Sequence, residues 1–411
     1  MQPIKLAIVH YHLKPGGVTR VIESTIQAAR SHAPELKCAV ITGQNAPAFD
    51  PTMACHEVAA LNYTRKASNP SSAAQLVEQL KAAAIQALGS LPDVWHIHNH
   101  SLGKIQALEA AVYQLAQDGA RMVLQIHDFA EDGRPQNYTQ LHERDKLYPI
   151  IDSVQYAVIN SRDQQQLQAA GLSDKQLRLL ANPVKAPQIA DVPIEAKKRL
   201  LAQLKAERLI VYPVRAVRRK NLGEFLLWAA LAEPGEVFAM TLGPTNEAYR
   251  PQYVAWQALS QELALPVHWE IGSSNEASFD CIMQSASAIL NTSIAEGFGL
   301  TFLEPYLFGK GLLGRNLPDI TADFEAQGID LSPLYSALPI PKDAICLPAL
   351  KTAIQKGLQQ AYASYEQPLP RDAVDRALQA IHCDPDHIDF GGLDEQQQAS
   401  IIRKVHQDPA T

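Results

Sequence analysis

The sequence predicts an α/β protein with two doubly wound parallel sheets, each covered by helices on both faces. Short apolar strands alternate with amphipathic helices through two successive regions, which is typical of βα units that add parallel strands. The 411 residues suffice for two cores, because domains commonly contain about 100–200 residues. A proline-rich stretch that begins at Asn182-Pro183 separates the two regions.

Three parts of the chain follow from this division. We expect a first α/β domain over residues 1–185 and a second over residues 186–385. Residues 386–411 are a predicted helical tail, and the sequence leaves open whether this tail packs back on the first domain.

The composition narrows the class of protein. Hydrophobic residues make up 46% of the chain and charged residues 19%, as in ordinary globular proteins. The formal net charge of −7 argues against general binding to nucleic acids or to anionic membranes. No apolar run reaches the length of a membrane span, and the first residues carry no signal-peptide pattern. Five scattered cysteines without C-x-x-C spacing indicate that the chain has no disulfide framework. Together, these features predict a cytoplasmic protein.

A glycine pair follows the first predicted strand. Gly16 and Gly17 end a loop between a strand over Lys5–Val9 and a helix over Val18–Ala29. The loop lacks the G-x-G-x-x-G spacing of dinucleotide-binding proteins, but glycines let backbone N–H groups approach a phosphate or a hydroxyl. A ligand contact and a plain tight turn are equally good interpretations of this pair.

Histidines collect where later strands of the first domain end. His127-Asp128 follows a strand over Met122–Ile126, at the sheet edge where ligands bind in this class of fold. His127 either faces a ligand or is a structural histidine, and the first domain alone leaves both open. The run His96–His100 has a metal-like composition. No further ligand has the spacing of a metal site, which favours a strand end entering a cleft.

Cations cluster at the start of the second domain. A strand over Arg208–Tyr212 is followed by four basic residues in an otherwise acidic chain: Arg215, Arg218, Arg219 and Lys220. Asn221 and Glu224 have the spacing of an N-cap and a capping box for the next helix. Because the positive end of a helix repels cations, we expect this cluster to bind an anion such as a diphosphate.

A glycine turn between two carboxylates follows a later strand of the second domain. In NTSIAEGFGLTFLEPYLFG, Glu296 precedes the turn and Glu304 lies in the apolar run after it. Gly297 and Gly299 allow close approach of a ligand to the backbone. A helix that begins near Leu300 would direct free N–H groups at an anion. The tail segment IHCDPDHIDF resembles a metal site in composition, but its proline and the following Gly391-Gly392 favour a surface connection.

Taken in order, these motifs resemble the retaining glycosyltransferases of family 4. That family has the GT-B architecture, with two Rossmann-like domains facing across a cleft. The shared motifs are the Gly-Gly loop, the His-Asp pair, R-x4-K-N at the start of the second domain, and E-G-F-G-L-x3-E. The last of these matches the family's E-x7-E motif from Glu296 to Glu304.

The resemblance implies an enzyme that transfers a hexosyl group, with retention of configuration, by a front-face mechanism. Its donor would be a UDP-, GDP- or ADP-linked sugar, and its acceptor a hydroxyl of a small molecule or glycan. Arg215 and Lys220 would stabilise the leaving diphosphate. The backbone N–H groups of four residues would assist: Gly297, Phe298, Gly299 and Leu300.

The remaining roles come from the same resemblance. Glu296 would hold hydroxyls of the donor sugar, Glu304 would bind the ribose, and His127 would contact the sugar from the first domain. Gly16 and Gly17 would border the diphosphate or the acceptor. Neither a cofactor nor a metal ion is expected, because no D-x-D motif ends a strand. The oligomeric state is not predicted.

The chain departs from the family pattern at three places. Pro305 follows Glu304 where alanine is common, so the helix must start late or kink, because proline has no N–H. The continuation GRNLPDITADFEAQGIDLSPLY and the region past Pro339 also differ from the usual family sequence.

Two alternatives share the predicted architecture. Another GT-B enzyme, such as a sugar-nucleotide epimerase or a phosphorylase, has the same two-domain plan. A catalytically inactive nucleotide-sugar-binding protein is the non-enzymatic alternative. The presence of all the acidic, basic and histidine motifs disfavours it.

Overall fold

The chain divides into two compact units. The structure is a computed structural model that describes residues 3–14, 16–46, 49–50, 52–62, 72–184, 191–273 and 277–408. The first unit comprises residues 1–183 with 361–368, and the second comprises 184–360 with 369–411. The predicted domain boundary at residue 185 falls on residues outside the described ranges.

The first unit contains a seven-stranded sheet. Its strands are β1 (Lys5–His10), β2 (Lys37–Thr42), β3 (Cys55–Glu57), β4 (Val94–His98), β5 (Met122–Ile126), β6 (Val154–Val158) and β7 (Leu177–Leu179). They pair in the order β3-β2-β1-β4-β5-β6-β7, and all pairs are parallel. The helices are α1 (Gly17–His32), α2 (Ala73–Leu88), α3 (Leu108–Gln117), α4 (Pro135–Tyr138) and α5 (Ser161–Ala169).

Both faces of this sheet are covered. Successive side chains of a strand point to opposite faces, and in β1 Ala7 and Val9 pack into one apolar cluster while Ile8 packs into another. The second cluster includes Ile22 and Ile26 of α1. A parallel sheet covered on both faces needs apolar residues at consecutive positions, which explains the continuous hydrophobic strands of the sequence.

The second unit contains a five-stranded sheet and a small antiparallel pair. The sheet strands are β8 (Arg208–Arg215), β9 (Glu236–Leu242), β10 (Val267–His268), β11 (Ala288–Asn291) and β12 (Gly311–Gly314). Their order is β10-β9-β8-β11-β12, again all parallel. The antiparallel pair joins β13 (Pro339–Pro341) to β14 (His387–Asp389).

The helices of the second unit lie on both faces of its sheet. They are α6 (Ile194–Leu204), α7 (Leu222–Ala230), α8 (Arg250–Glu262), α9 (Phe279–Ser285), α10 (Glu304–Leu307), α11 (Pro318–Glu325), α12 (Leu347–Ser364), α13 (Ala373–Ala380) and α14 (Glu395–Gln407). In β8, Ile210 and Tyr212 pack on one side, whereas Leu209 and Val211 pack on the other. The predicted class, α/β with two doubly wound parallel sheets, is confirmed.

The carboxyl-terminal region is divided between the two units. Helix α12 begins in the second unit and ends in the first, where the Tyr365 hydroxyl accepts a hydrogen bond of 2.6 Å from the Arg134 amide. The tail over 386–411 belongs to the second unit instead. Ile401 and Ile402 of α14 hold it there, because they are buried with Phe225 of α7. The segment that joins the first unit is thus 361–368, and β13 and β14 are strands that the sequence past Pro339 did not predict.

A buried arginine links three elements of the second unit. Arg315, which follows β12, donates to both carboxylate oxygens of Glu224 on α7 at 2.5–3.2 Å. It also forms two bonds of 2.8 and 2.9 Å with Asp389 of β14. Arg315 is 3% exposed and Glu224 fully buried. Two charges at such depth stay ionised only because each satisfies the other.

Replacing Arg315 with methionine should destabilise the second unit strongly. The substitution leaves the Glu224 carboxylate buried without its cation, which typically costs about 3–5 kcal/mol. Urea unfolding followed by tryptophan fluorescence measures the loss. The matched control is Arg376→Met, which breaks an exposed ion pair with Asp372 and should cost about 1 kcal/mol or less. Equal losses in the two variants would contradict the assigned role of Arg315.

Candidate functional site

A cavity of about 380 Å³ lies at the carboxyl ends of β8 and β11 in the second unit. Two segments that are distant in sequence, 213–220 and 296–304, contribute all of its lining residues. Its polar lining consists of Arg215, Arg219, Lys220, Glu296, Thr301 and Glu304. The structure therefore brings both predicted clusters of the second domain to one cavity, with a volume in the range of small-molecule sites.

The first segment is a strand end followed by a tight turn. Strand β8 ends at Arg215, and a 3-10 turn spans Arg218–Lys220. The carbonyl oxygen of Lys220 accepts hydrogen bonds from the Tyr212 hydroxyl and the Thr292 hydroxyl, both at 3.0 Å. Because both donors are fully buried, the backbone of Lys220 is fixed from beneath the cavity.

The predicted capping box is wrong. Asn221 has φ 48° and makes no side-chain cap to α7. Its amide Nδ2 instead donates to Glu224 Oε2 at 2.8 Å, so the two side chains bond each other, and the Glu224 carboxylate also accepts from Arg315. The pattern correctly marks where the helix begins, but it misassigns the hydrogen bonds.

The second segment turns sharply after β11. Gly299 has φ +88°, and a Cβ placed on it would lie 2.8 Å from Ile320 Cγ2, so this position requires glycine. A 3-10 turn over Leu300–Phe302 follows, and α10 begins only at Glu304, with Pro305 in its first turn. The late start expected from Pro305 is confirmed, because a missing N–H is harmless in a first turn.

This late start changes the electrostatics expected of the turn. The helix predicted to begin near Leu300 is replaced by two short helical pieces, a 3-10 turn and the four-residue α10. A long aligned row of peptide dipoles therefore does not end at the cavity. Side-chain cations supply the positive charge instead. Glu304, the first residue of α10, does line the cavity.

Glu296 forms ion pairs with two cations of the first segment. Its carboxylate accepts hydrogen bonds from Lys220 Nζ and from Arg219 Nη1, and its side chain is only 8% exposed. Burial alone would raise the pKa of Glu296, but the charges and hydrogen bonds of Lys220 and Arg219 outweigh it and hold that pKa below its usual range. Glu296 is therefore ionised, and it offsets part of the positive charge that Lys220 and Arg219 bring to the cavity.

The other predicted residues of the second domain are placed differently. Arg215 is exposed and lines the cavity, with Nη1 3.4 Å from the Gly243 carbonyl oxygen. Leu300 lines it too. The Phe298 side chain packs into the apolar core, edge-on to Phe324 at 5.5 Å between ring centroids. Of the turn Gly297–Gly299, no residue lines the cavity.

Two polar lining residues, Arg219 and Thr301, were not among the predicted site residues. Arg219 belonged to the predicted basic cluster, and like Lys220 it forms an ion pair with Glu296. The Thr301 hydroxyl is buried and has no hydrogen-bond partner among the described residues. No signal in the sequence marks Thr301, because a threonine after a glycine turn is common in any loop.

In the first unit, His127 is part of a buried group of histidines. It is 7% exposed, and its Nε2 lies 2.9 Å from His98 Nδ1. Its backbone N–H donates to Asn99 Oδ1 at 2.7 Å. Burial lowers the pKa of His127 to about 4, so the ring is neutral at physiological pH. His127 thus has a structural hydrogen bond in this unit, and its contact with a donor sugar stays a prediction.

The glycine pair and the remaining metal-like motifs are also located. Gly16 and Gly17 are exposed at the start of α1. His96 Nε2 lies 2.9 Å from Gln125 Oε1, and His387 Nδ1 lies 2.9 Å from Asp384. Within the described ranges, no group of three or more His, Cys, Asp or Glu side chains could hold a metal ion. In the same part of the chain, no helix has the length and apolar character needed to cross a membrane.

Comparison with known proteins identifies the fold. No family model matches the chain. The mannosylglucosyl-3-phosphoglycerate synthase of Petrotoga mobilis is 25% identical over 337 residues, which are 78% of this chain and 66% of that enzyme's length. A glycosyltransferase of Rickettsia africae has a TM-score of 0.57 at 12% identity, with 100% of both chains covered. The fold is that of GT-B glycosyltransferases.

A second solved structure agrees with this fold. HepE of Anabaena in complex with UDP-glucose has a TM-score of 0.55 at 14% identity, and the match covers 98% of this chain and 99% of HepE. The predicted GT-B class is thereby confirmed. Likeness at this identity concerns the fold alone, so assignment to family 4 through the E-x7-E motif stays a prediction.

The buried histidines should make stability pH-dependent. Burial lowers the pKa of His10 to about 3 and that of His100 to about 4. The unfolded chain takes up protons below the ordinary value of about 6.5, whereas the folded chain does not until a lower pH. The free energy of unfolding should therefore fall as the pH drops from about 6.5 towards 4, by about 1.4 kcal/mol per pH unit for each such histidine.

The substitution His100→Gln tests this dependence. Its Nε2 can keep the 2.7 Å contact with the Leu147 carbonyl oxygen but cannot titrate, so the slope of unfolding free energy against pH should fall by about one proton. The control is His32→Gln at an exposed position of α1, where the same substitution removes no buried imidazole. An identical slope in wild type and His100→Gln would refute the buried neutral state.

Proposed function

We propose that this chain is a retaining glycosyltransferase that moves a hexosyl group from a nucleoside-diphosphate sugar to an acceptor hydroxyl without a metal ion. The observation that carries the proposal is the convergence of three cations and two carboxylates on one cavity of the second unit. The GT-B fold supports it, and so does similarity to an enzyme named for making mannosylglucosyl-3-phosphoglycerate. HepE, which shares the fold, binds UDP-glucose.

The cations fit the leaving group of this reaction. Negative charge grows on the β-phosphate as the glycosidic bond breaks, and fixed donors aimed at that charge lower the barrier. Lys220 is buried in the cavity wall, where water screens its charge poorly. The planar guanidinium groups of Arg215 and Arg219 can each donate two parallel hydrogen bonds to phosphate oxygens. Leu300 can assist through its backbone N–H.

Glu296 has two roles at different stages. In the free protein its carboxylate pairs with Lys220 and Arg219, in the place where a diphosphate would bring its own negative charge. An arriving diphosphate carries more charge than one carboxylate, so the two cations turn to the phosphates and Glu296 is released. The freed carboxylate then accepts hydrogen bonds from hydroxyls of the sugar and faces the positive charge that develops at the anomeric carbon.

The remaining residues complete the donor site. Glu304 lies on the same cavity and can accept hydrogen bonds from both ribose hydroxyls of a UDP, GDP or ADP donor. The Thr301 hydroxyl, buried and without a partner among the described residues, can donate to a phosphate or sugar oxygen. His127, Gly16 and Gly17 would act from the first domain, His127 on the sugar and the glycines on the diphosphate or acceptor.

The alternatives predict different chemistry from the same fold. An epimerase changes its nucleotide sugar without an acceptor, and a phosphorylase requires inorganic phosphate. An inactive binding protein would bind the donor without releasing the diphosphate. The presence of all five motif residues favours an enzyme over a binding protein: Glu296, Glu304, Arg215, Lys220 and His127.

Replacing Lys220 with alanine should remove most of the activity. The assay measures the UDP that is released from UDP-glucose when the glucosyl group is transferred to an acceptor, or slowly to water. EDTA is present throughout. Loss of one leaving-group contact typically lowers kcat by about 10²–10³-fold. The control is Lys198→Ala, at an exposed residue of α6 that pairs with Glu195, and its kcat should match wild type. A kcat within twofold of wild type for Lys220→Ala would exclude Lys220 from the mechanism.

A further inference from the structure

The residue after Lys220 has an unusual backbone conformation that its side chain stabilises. Asn221 has φ 48°, a left-handed conformation that is strained for residues other than glycine and tolerated by asparagine. It is 6% exposed. Its Nδ2 donates to Glu224 at 2.8 Å, and its Oδ1 accepts from Gln398 Nε2 at 3.0 Å. The conformation of the turn that presents Lys220 therefore depends on two hydrogen bonds of the Asn221 side chain.

Gln398 reaches this position from the last helix of the chain. It lies on α14, 177 residues from Asn221 in sequence, and is 4% exposed. The same Nε2 also donates to the Phe390 carbonyl oxygen at 3.0 Å. A Cβ on Gly223 would lie only 2.2 Å from Gln398 Oε1, so Gly223 leaves room for this amide. The contact is thus closely packed and uses both amide hydrogens of Gln398.

Helix α14 is itself firmly anchored. Ile401 is 4% exposed and Ile402 is fully buried, both within the apolar cluster that contains Phe225 of α7. At its exposed side, Arg403 forms two bonds of 2.7 and 2.8 Å with Glu262 of α8. Gln398 therefore projects from a rigid support, as a residue that orients another must do.

We propose that Gln398 is a positioning residue for Lys220, acting through Asn221, so that the carboxyl-terminal helix is part of the donor site. This inference rests on the proposed function, in which Lys220 binds the diphosphate. The path is short: Gln398 fixes the Asn221 amide, Asn221 fixes the end of the turn Arg218–Lys220, and the turn aims the Lys220 ammonium at the cavity. Gln398 itself does not line that cavity.

A purely structural Gln398 would behave differently. Loss of two buried hydrogen bonds lowers stability in either case. If Gln398 positions Lys220, its loss also changes the environment of Lys220 Nζ in the folded protein. If it acts through Asn221, its loss has no further effect once the Asn221 side chain is absent. Asn221→Gly removes that side chain without strain, since glycine adopts φ 48° readily.

The experiment measures the rate at which acetic anhydride acetylates Lys220, by peptide mass spectrometry on the full-length folded protein. Four proteins are compared with wild type: Gln398→Leu, Asn221→Gly, the double variant, and the control Gln397→Leu. Gln397 lies on the same helix and bonds Asp394 and the Cys346 amide, but it does not contact Asn221. Thermal unfolding of each variant gives its stability separately.

Acetylation of Lys220 should be at least about fivefold faster in Gln398→Leu and in Asn221→Gly, because the turn opens locally. Gln397→Leu should stay within twofold of wild type. In the Asn221→Gly background, adding Gln398→Leu should change the rate by less than twofold. Unchanged acetylation in Gln398→Leu, or equal effects of Gln397→Leu, would overturn the inference. If Gln398→Leu does not fold, unchanged acetylation in Asn221→Gly overturns it instead.

Turnover of UDP-glucose separates this inference from the proposed function. With a displaced Lys220, kcat should fall by about tenfold or more in Gln398→Leu while the KM for donor changes less, since small misplacements mainly affect the transition state. Faster acetylation with no turnover of a UDP-, GDP- or ADP-linked sugar in any protein, wild type included, would support the positioning role and reject the transferase. Faster acetylation with wild-type kcat in Gln398→Leu would reject the positioning role in catalysis.

Discussion

The buried contact of Glu296 with Lys220 and Arg219 is the interaction on which the candidate site depends. A carboxylate with 8% exposure and a lysine with 10% exposure are stable as ions only because they neutralise each other. The contact joins two segments 76 residues apart, and the Glu296 carboxylate offsets part of the positive charge of Lys220 and Arg219. In the mechanism proposed above, a diphosphate replaces Glu296 at the cations, which couples donor binding to release of the carboxylate toward the sugar.

Much of the fold could be predicted because parallel sheets covered on both faces leave a clear pattern. Residues such as Leu209 to Tyr212 are apolar at every position, since alternate side chains enter different cores. The assignment of the tail could not be predicted in the same way. The pattern of α14 shows which residues are apolar, but not that Ile401 and Ile402 meet Phe225 of the second unit.

The charged residues of the candidate site could be predicted from the sequence, but most of their hydrogen-bond partners could not. Glycine and carboxylate spacing located Glu296 and Glu304, and the basic cluster located Lys220. The capping interpretation of Asn221 was wrong. Local spacing cannot reveal that the Glu224 carboxylate accepts hydrogen bonds from Arg315, 91 residues away. The contacts of Arg219 with Glu296 and of Gln398 with Asn221 are likewise long-range. A residue's chemistry is readable from sequence, whereas its partner depends on the folded structure.

Calorimetry with UDP-, GDP- and ADP-linked sugars in the presence of EDTA is the direct test of metal-independent donor binding by this protein. We expect at least one of these donors to bind without metal. We also expect binding to weaken as salt rises, because the cations of the cavity supply the attraction. Replacing Glu296 with glutamine should not abolish this binding, since the diphosphate and not the carboxylate then holds Lys220. Absence of binding by all three classes of donor would contradict the proposed transferase.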